Sequence, residues 1–164
     1  MSSIRIGQGF DVHRLRASRP LVLCGLELPG EPGLEGHSDA DVALHAVADA
    51  LFGAVAAGDI GEHFPASDMQ WRDADSEVFL RHALDLVNRA GFRLANCDLT
   101  IVGEQPRIAP HRDALRWKLA ELLGVDLGAV SVKATTTDGL GFAGRGEGVA
   151  AMAVILVEAE EVHE

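Results

Sequence analysis

Ile4-Arg5-Ile6-Gly7-Gln8-Gly9-Phe10-Asp11-Val12-His13 sets the frame for the rest of the chain. Ile4, Ile6, Gln8 and Phe10 alternate with Arg5, Gly7, Gly9 and Asp11, the period of two that marks a β-strand. Residues two apart on a strand point to the same face, so the Asp11 carboxylate and the His13 imidazole converge at its end. Beyond this strand, residues 21–24 and 26–28 read as short strands around Gly25, and residues 30–33 as a turn. Ser38, with Asp41 three residues on, predicts the N-cap of an Ala-rich helix over residues 40–57, closed by Gly58. Residues 61–75 read as a loop, and a second helix runs over 76–90 to Gly91. A strand over 93–104, a helix from Pro110 to Gly124, and strands over 129–134 and 150–158 complete the order.

This order predicts an α/β fold of the α+β type. It is a single domain with a mixed four- to five-stranded sheet and helices on one face. The uncovered sheet face requires burial, so an oligomer is expected. The domain is expected over residues 1–157, with 158–164 as a solvated acidic tail.

Composition narrows the function. At 164 residues and 48% hydrophobic content the chain is long and apolar enough for one packed core without disulfides. No apolar run approaches the ~20 residues of a membrane span. Met1-Ser2-Ser3-Ile4-Arg5 does not read as a signal peptide, so a cytoplasmic protein is expected. A net charge of −11 repels nucleic acid, and eight aromatics with no Tyr form no stacking platform. A phosphorylated substrate on so acidic a chain calls for metal ions at the site. Cys24 and Cys97 read as buried thiols rather than a disulfide or a metal pair.

Three stretches carry chemistry. Asp11-Val12-His13 is a metal half-site or a surface ion pair. In His37-Ser38-Asp39-Ala40-Asp41-Val42-Ala43-Leu44-His45, the positions Asp41, His45 and Asp49 share one helical face. His45 is then either a ligand with carboxylate support or a helix-surface histidine beside a capping cluster. Asp11, His13 and His45 together would give three ligands with a fourth position open, the pattern of catalytic zinc. Thr135-Thr136-Thr137-Asp138 follows a strand and offers hydroxyls and backbone N–H groups to phosphate, or is simply a β-prone strand end. Gly139-Leu140-Gly141-Phe142-Ala143-Gly144 matches G-x-G-x-x-G, but Arg145-Gly146-Glu147-Gly148 follows in place of a helix, so a dinucleotide site is rejected. Five glycines in ten residues instead suggest backbone packed closely at an interface.

Together, Gly7–His13, His37–His45, Gly58-Asp59-Ile60-Gly61 with Phe64-Pro65, and Lys133–Thr137 with Leu140–Gly148 resemble the 2-C-methyl-D-erythritol 2,4-cyclodiphosphate synthase family of the non-mevalonate isoprenoid pathway. The resemblance runs nearly end to end. It implies metal-assisted intramolecular phosphoryl transfer in a cytidine diphosphate substrate, closing a cyclic diphosphate and releasing CMP. By resemblance, Asp11, His13 and His45 are zinc ligands that also meet the substrate, and His37 and Thr136 polarise the transition state. Ser38 holds the attacking phosphate. Asp59, Ile60 and Gly61 hold the methylerythritol portion, with Phe64 and Asp68 from the following loop. Gly103, Glu104, Gln105, Pro106, Arg107, Ile108 and Ala109, with Ala134, Thr135, Thr136, Thr137 and Asp138, form the cytidine diphosphate site. Asp138 would also ligate Mg²⁺ or Mn²⁺. The resemblance further implies a homotrimer with sites between subunits and an axial cavity. Phe10, Phe142, Arg145 and Glu147 would line that cavity, which could take an isoprenoid diphosphate. Gln8 stands where the family pattern has His, Ala66 where Asp is common, Asp138 for the usual Glu and Gly139 for Lys. Two other readings use the same residues: a zinc phosphoesterase with water in the fourth position, and a trimeric carrier of isoprenoid diphosphates holding phosphate on Arg145.

Overall fold

In the computed structural model, residues 3–160 are described. The main sheet consists of β1 (Ile4–Arg16), β4 (Gly33–Leu34), β5 (Phe92–Val102), β6 (Val130–Thr135) and β7 (Gly148–Ala159), in the order β4-β1-β7-β5-β6. Only β5 and β6 run parallel; the other pairings are antiparallel, so the sheet is mixed as expected. β2 (Val22–Leu23) and β3 (Leu26–Glu27) form a separate small hairpin. The helices are α1 (Val42–Ala54), α2 (Ile60–His63), α3 (Glu77–Arg89), α4 (Arg112–Leu123) and α5 (Gly141–Gly144). The segment expected as loop over 61–75 holds α2 and a 3₁₀ turn at Met69–Trp71. Glu158 and Ala159 belong to β7, paired with Ile4 and Phe92, so the expected tail does not begin at 158. Glu160 follows, its N–H donating to Gly91 O at 3.0 Å, and 161–164 lie outside the described residues.

The buried face of β1 is not its isoleucine face. Gly7 and Gly9 are buried beneath α1, whereas Ile4, Ile6 and Phe10 are 59%, 66% and 52% exposed. The reason is proximity. A Cβ on Gly7 would stand 1.7 Å from the carbonyl oxygen of Ala50, and one on Gly9 1.9 Å from that of Ala46. The helix lies backbone-to-backbone on the strand, and small residues at Ala46 and Ala50 allow it. Asp11 and His13 share that helix-side face, which carries them toward His45, the residue before Ala46.

α1 is apolar over most of its circumference because β1 and β7 cover it beneath and α3 above, leaving one less buried stripe, His45, Asp49 and Gly53, four residues apart. Its start and end both differ from the sequence expectation. The cap is Asp41 rather than Ser38: the Asp41 carboxylate accepts from Leu44 N–H, and also from Cys24 and Gly25 N–H. The helix stops three residues early because Ala56 adopts a left-handed φ of 55°. Ala57 N–H then donates to Phe52 O and Ala56 N–H to Gly53 O, a Schellman closure ahead of Gly58. Cys24 and Cys97 are free and buried, and burial pushes Cys97 up to about 12. No helix among the described residues is long and apolar enough to cross a membrane.

Candidate metal centre and active site

Asp11, His13 and His45 meet at one point. Asp11 Oδ2 lies 2.8 Å from His13 Nε2 and 3.1 Å from His45 Nδ1. The two ring nitrogens are 3.2 Å apart. Among the described residues this is the one group of three His, Cys, Asp or Glu whose ligand atoms lie within 4.8 Å of one another. Strand alternation supplies the first two, and the close seat of α1 on β1 supplies the third.

The outer nitrogens decide what the inner ones can do. His13 Nδ1 is 2.6 Å from the Glu35 carbonyl, which can only accept, so Nδ1 carries the proton. The Nε2 lone pair then points inward. His45 Nε2 is 2.8 Å from Ser76 Oγ and 3.2 Å from Ser38 Oγ, outside the cluster. With Nε2–H donated outward, the His45 Nδ1 lone pair also points inward. With these tautomers and both rings neutral, two imidazole lone pairs and a carboxylate oxygen would converge on a bound cation. That donor set fits a divalent cation. Burial lowers His13, but its hydrogen bond to Asp11 and the charge there raise it, so protons share this centre until a cation displaces them. Burial would raise the Asp11 carboxyl, but hydrogen bonds and charge from His13 and His45 bring it down to about 2. It is therefore a carboxylate under any working condition.

Asp41 and Asp49 do not flank His45 as carboxylate partners. Burial pushes Asp41 up to about 7, and its oxygens are taken by the three backbone N–H groups named above. Asp49 accepts from Ile60 N–H at 2.8 Å and so ties α1 to the Asp59-Ile60-Gly61 segment. Asp59 caps α2 through Glu62 N–H at 2.9 Å. His37 is exposed, in a cavity of about 480 Å³ that Asp68 and Trp71 also line. Arg19 donates to the carbonyls on either side of His37, those of Gly36 and Ser38, at 2.6 and 2.7 Å. Phe64 packs on Phe79 with ring centroids 4.5 Å apart.

The residues expected around cytidine diphosphate form a second group. β5 and β6 run parallel with Val102 opposite Thr135, so the loops over 103–109 and 136–140 leave the same sheet end. Gly103 N–H donates to Thr135 O at 3.0 Å and joins them. Thr136 and Asp138 are exposed, and Asp138 is not part of the Asp–His–His cluster. Ala150 of β7 faces both Val12 and Val102, so β7 separates the two groups within one chain. Arg145 pairs with Glu147 at 3.0 Å, and Phe142 is partly exposed beside them.

Sequence reasoning missed Arg19, Ser76, Asp39 and the Glu35 carbonyl. Asp39 stood inside a stretch already singled out, but its partner Ser76 is 37 positions away and carries no local signal.

The YgbB family profile matches residues 4–158. The chain belongs to the YgbB family. It is 54% identical over 158 residues to the 2-C-methyl-D-erythritol 2,4-cyclodiphosphate synthase of Shewanella putrefaciens, covering 96% of this chain and 98% of that one. It is 60% identical over 153 residues to the bifunctional enzyme IspD/IspF of Novosphingobium aromaticivorans, covering 93% of this chain but 40% of the relative. The chain therefore spans about two fifths of the length of such bifunctional YgbB-family relatives. Among solved structures, bifunctional IspDF from Campylobacter jejuni matches with a TM-score of 0.94 and 38% identity, over 98% of this chain and 44% of that one. A CDP-bound form of 2C-methyl-D-erythritol-2,4-cyclodiphosphate synthase matches with a TM-score of 0.85 and 43% identity, over 93% and 99%. The family resemblance read from the motifs holds, and so does the mixed sheet with its helices.

Proposed function

We propose that the chain converts 4-diphosphocytidyl-2-C-methyl-D-erythritol 2-phosphate to 2-C-methyl-D-erythritol 2,4-cyclodiphosphate and CMP. The observation that carries this reading is the convergence of the Asp11, His13 and His45 ligand atoms at one point. An oxygen of the substrate's 2-phosphate forms a bond to the β-phosphorus, and the bond from that phosphorus to the CMP oxygen breaks. The nucleophile is already ionised, so no strong base is required; the protein's task is positioning and charge stabilisation. Asp11, His13 and His45 would hold Zn²⁺, which supplies positive charge to a diphosphate oxygen. Ser38 and Asp59-Ile60-Gly61 place the methylerythritol phosphate end beside it. His37 and Thr136 polarise the transferring phosphoryl group, and Arg19 fixes the backbone on both sides of His37. The loop over 103–109 and residues 134–138 hold the cytidine diphosphate, with Asp138 toward Mg²⁺ or Mn²⁺. Incubation with this substrate should release CMP and the cyclic diphosphate in equal amounts. Inorganic phosphate instead would make the chain a phosphoesterase, and tight binding without turnover a carrier.

We also propose a homotrimer with the active site shared between subunits, in the cytoplasm. Ile4, Ile6, Phe10 and Val12 of β1 and Met152 and Val154 of β7 form an exposed apolar strip on the sheet face opposite the helices. A contiguous strip of this kind is what an obligate interface covers. Sharing the site would bring Thr136 of one subunit to the metal centre of its neighbour, which β7 prevents within one chain. Sedimentation should give a species of three times 17.4 kDa at micromolar concentration. A monomer there would remove the shared-site argument.

A further inference from the structure

The Asp–His–His cluster is backed by a polar chain that the catalytic reading does not use. Ser76 stands at the N-cap position of α3, yet its side chain makes no capping bond. Its hydroxyl is completely buried and is spent elsewhere. Ser76 Oγ–H donates to Asp39 Oδ1, and Ser76 N–H donates to Asp39 Oδ2 at 3.0 Å. Asp39 is itself fixed: Oδ1 accepts from Asp41 N–H at 3.1 Å, and Asp39 N–H donates to Ala74 O at 3.0 Å.

A serine has one hydroxyl proton, and a carboxylate can only accept. With that proton committed to Asp39, Ser76 faces His45 with a lone pair, and His45 Nε2 at 2.8 Å must bring the hydrogen. Ser38 Oγ is a poorer partner at 3.2 Å and already accepts from Ala40 N–H. We infer that Asp39 and Ser76 are positioning residues that lock His45 in its Nε2–H tautomer and thereby set the metal affinity of the site. The Asp39 charge acts through the hydroxyl to make His45 Nδ1 a stronger donor to the ion. This rests on the metal reading of Asp11, His13 and His45. It adds what makes His45 a ligand rather than a proton donor toward Asp11.

The test uses zinc itself, titrated into the full chain against a chromophoric chelator. Ser76→Ala removes one buried oxygen and keeps the backbone bond to Asp39. It should weaken zinc binding about 10- to 100-fold. Asp39→Asn removes the charge but keeps an acceptor, so its loss should be smaller. Because Asp39 acts through Ser76, the double variant should bind zinc no more weakly than Ser76→Ala alone. In the Co²⁺-loaded chain, the paramagnetically shifted ring N–H of His45 should exchange faster with solvent in Ser76→Ala. The ring N–H of His13, held by the Glu35 carbonyl, should not change. Unchanged zinc affinity in Ser76→Ala overturns the inference. So do losses that add in the double variant, which would make Asp39 only a brace for residues 74–76. If the unsubstituted chain takes up no zinc, the metal centre and this inference fall together, an outcome distinct from normal uptake by both parent and variants.

Discussion

Replacing His45 by Ala should empty the metal site and leave the fold standing. His45 sits on α1 with its inner nitrogen 3.1 Å from Asp11 Oδ2 and its ring half-buried against Phe79. Alanine is the best helix former, so the helix loses nothing locally. What disappears is one of three converging donors, and two ligands cannot hold a zinc-type ion in an open site. Charge stabilisation of a phosphoryl oxygen by a metal is worth several kcal/mol. A loss of ~4 kcal/mol corresponds to a drop in turnover of about 10³-fold. The metal-free variant should keep the parent's circular dichroism and unfold only a few degrees below the metal-free parent, because the lost ring leaves a small gap beside Phe79 and the buried Ser76 hydroxyl without its partner. Metal content by mass spectrometry, circular dichroism and CMP release together check this. A His45→Ala chain that still carries one equivalent of metal would refute the assignment.

How much of this site was legible in the sequence depends on the range of each contact. Asp11 and His13 could be read from a single strand, since their convergence needs only alternation. His45 could be joined to them only by inference or by family resemblance, because its approach depends on how closely α1 lies on β1. The Ser38-x-x-Asp41 pattern pointed to the right place with the wrong roles. Asp41 won the cap because Cys24 and Gly25 N–H groups, distant in sequence, also need an acceptor there. That freed Ser38 to face His45. The Asp39–Ser76 contact has no local signature at all. A serine before a helix is ordinarily a cap, and only the structure shows that this hydroxyl is turned away from its own helix. The apolar alternation of β1 was legible as a strand, but not which face is inside. The isoleucines lie outward because the inward face must be nearly flat to admit a helix backbone.

That flatness gives the second large effect, at a residue that touches no ligand. Gly9→Ala would place a Cβ 1.9 Å from Ala46 O and 2.7 Å from Ala50 N, both backbone atoms of α1. No rotamer relieves such a contact. β1 cannot retreat, because it is paired along its length with β7, Gly9 opposite Ala153. The helix must therefore lift, and lifting it strips contact from the most buried layer, between α1 and the sheet. Overpacking against side chains already costs about 1–3 kcal/mol, so a backbone clash should reach the top of that range or exceed it. At about 2–4 °C per kcal/mol for a chain of this size, the melting temperature should fall by roughly 10 °C. The same lift moves His45, next to Ala46, away from Asp11 and His13, so zinc affinity should fall with stability although no ligand has changed. Gly128→Ala is the control: nothing lies within 4 Å of a Cβ there, and neither quantity should move. Thermal unfolding of the metal-free chains and zinc titration of each variant measure both effects. A Gly9→Ala chain with the parent's melting temperature would show that α1 does not rest on β1 as described. A chain that lost stability but kept its zinc affinity would uncouple the metal site from the seat of the helix.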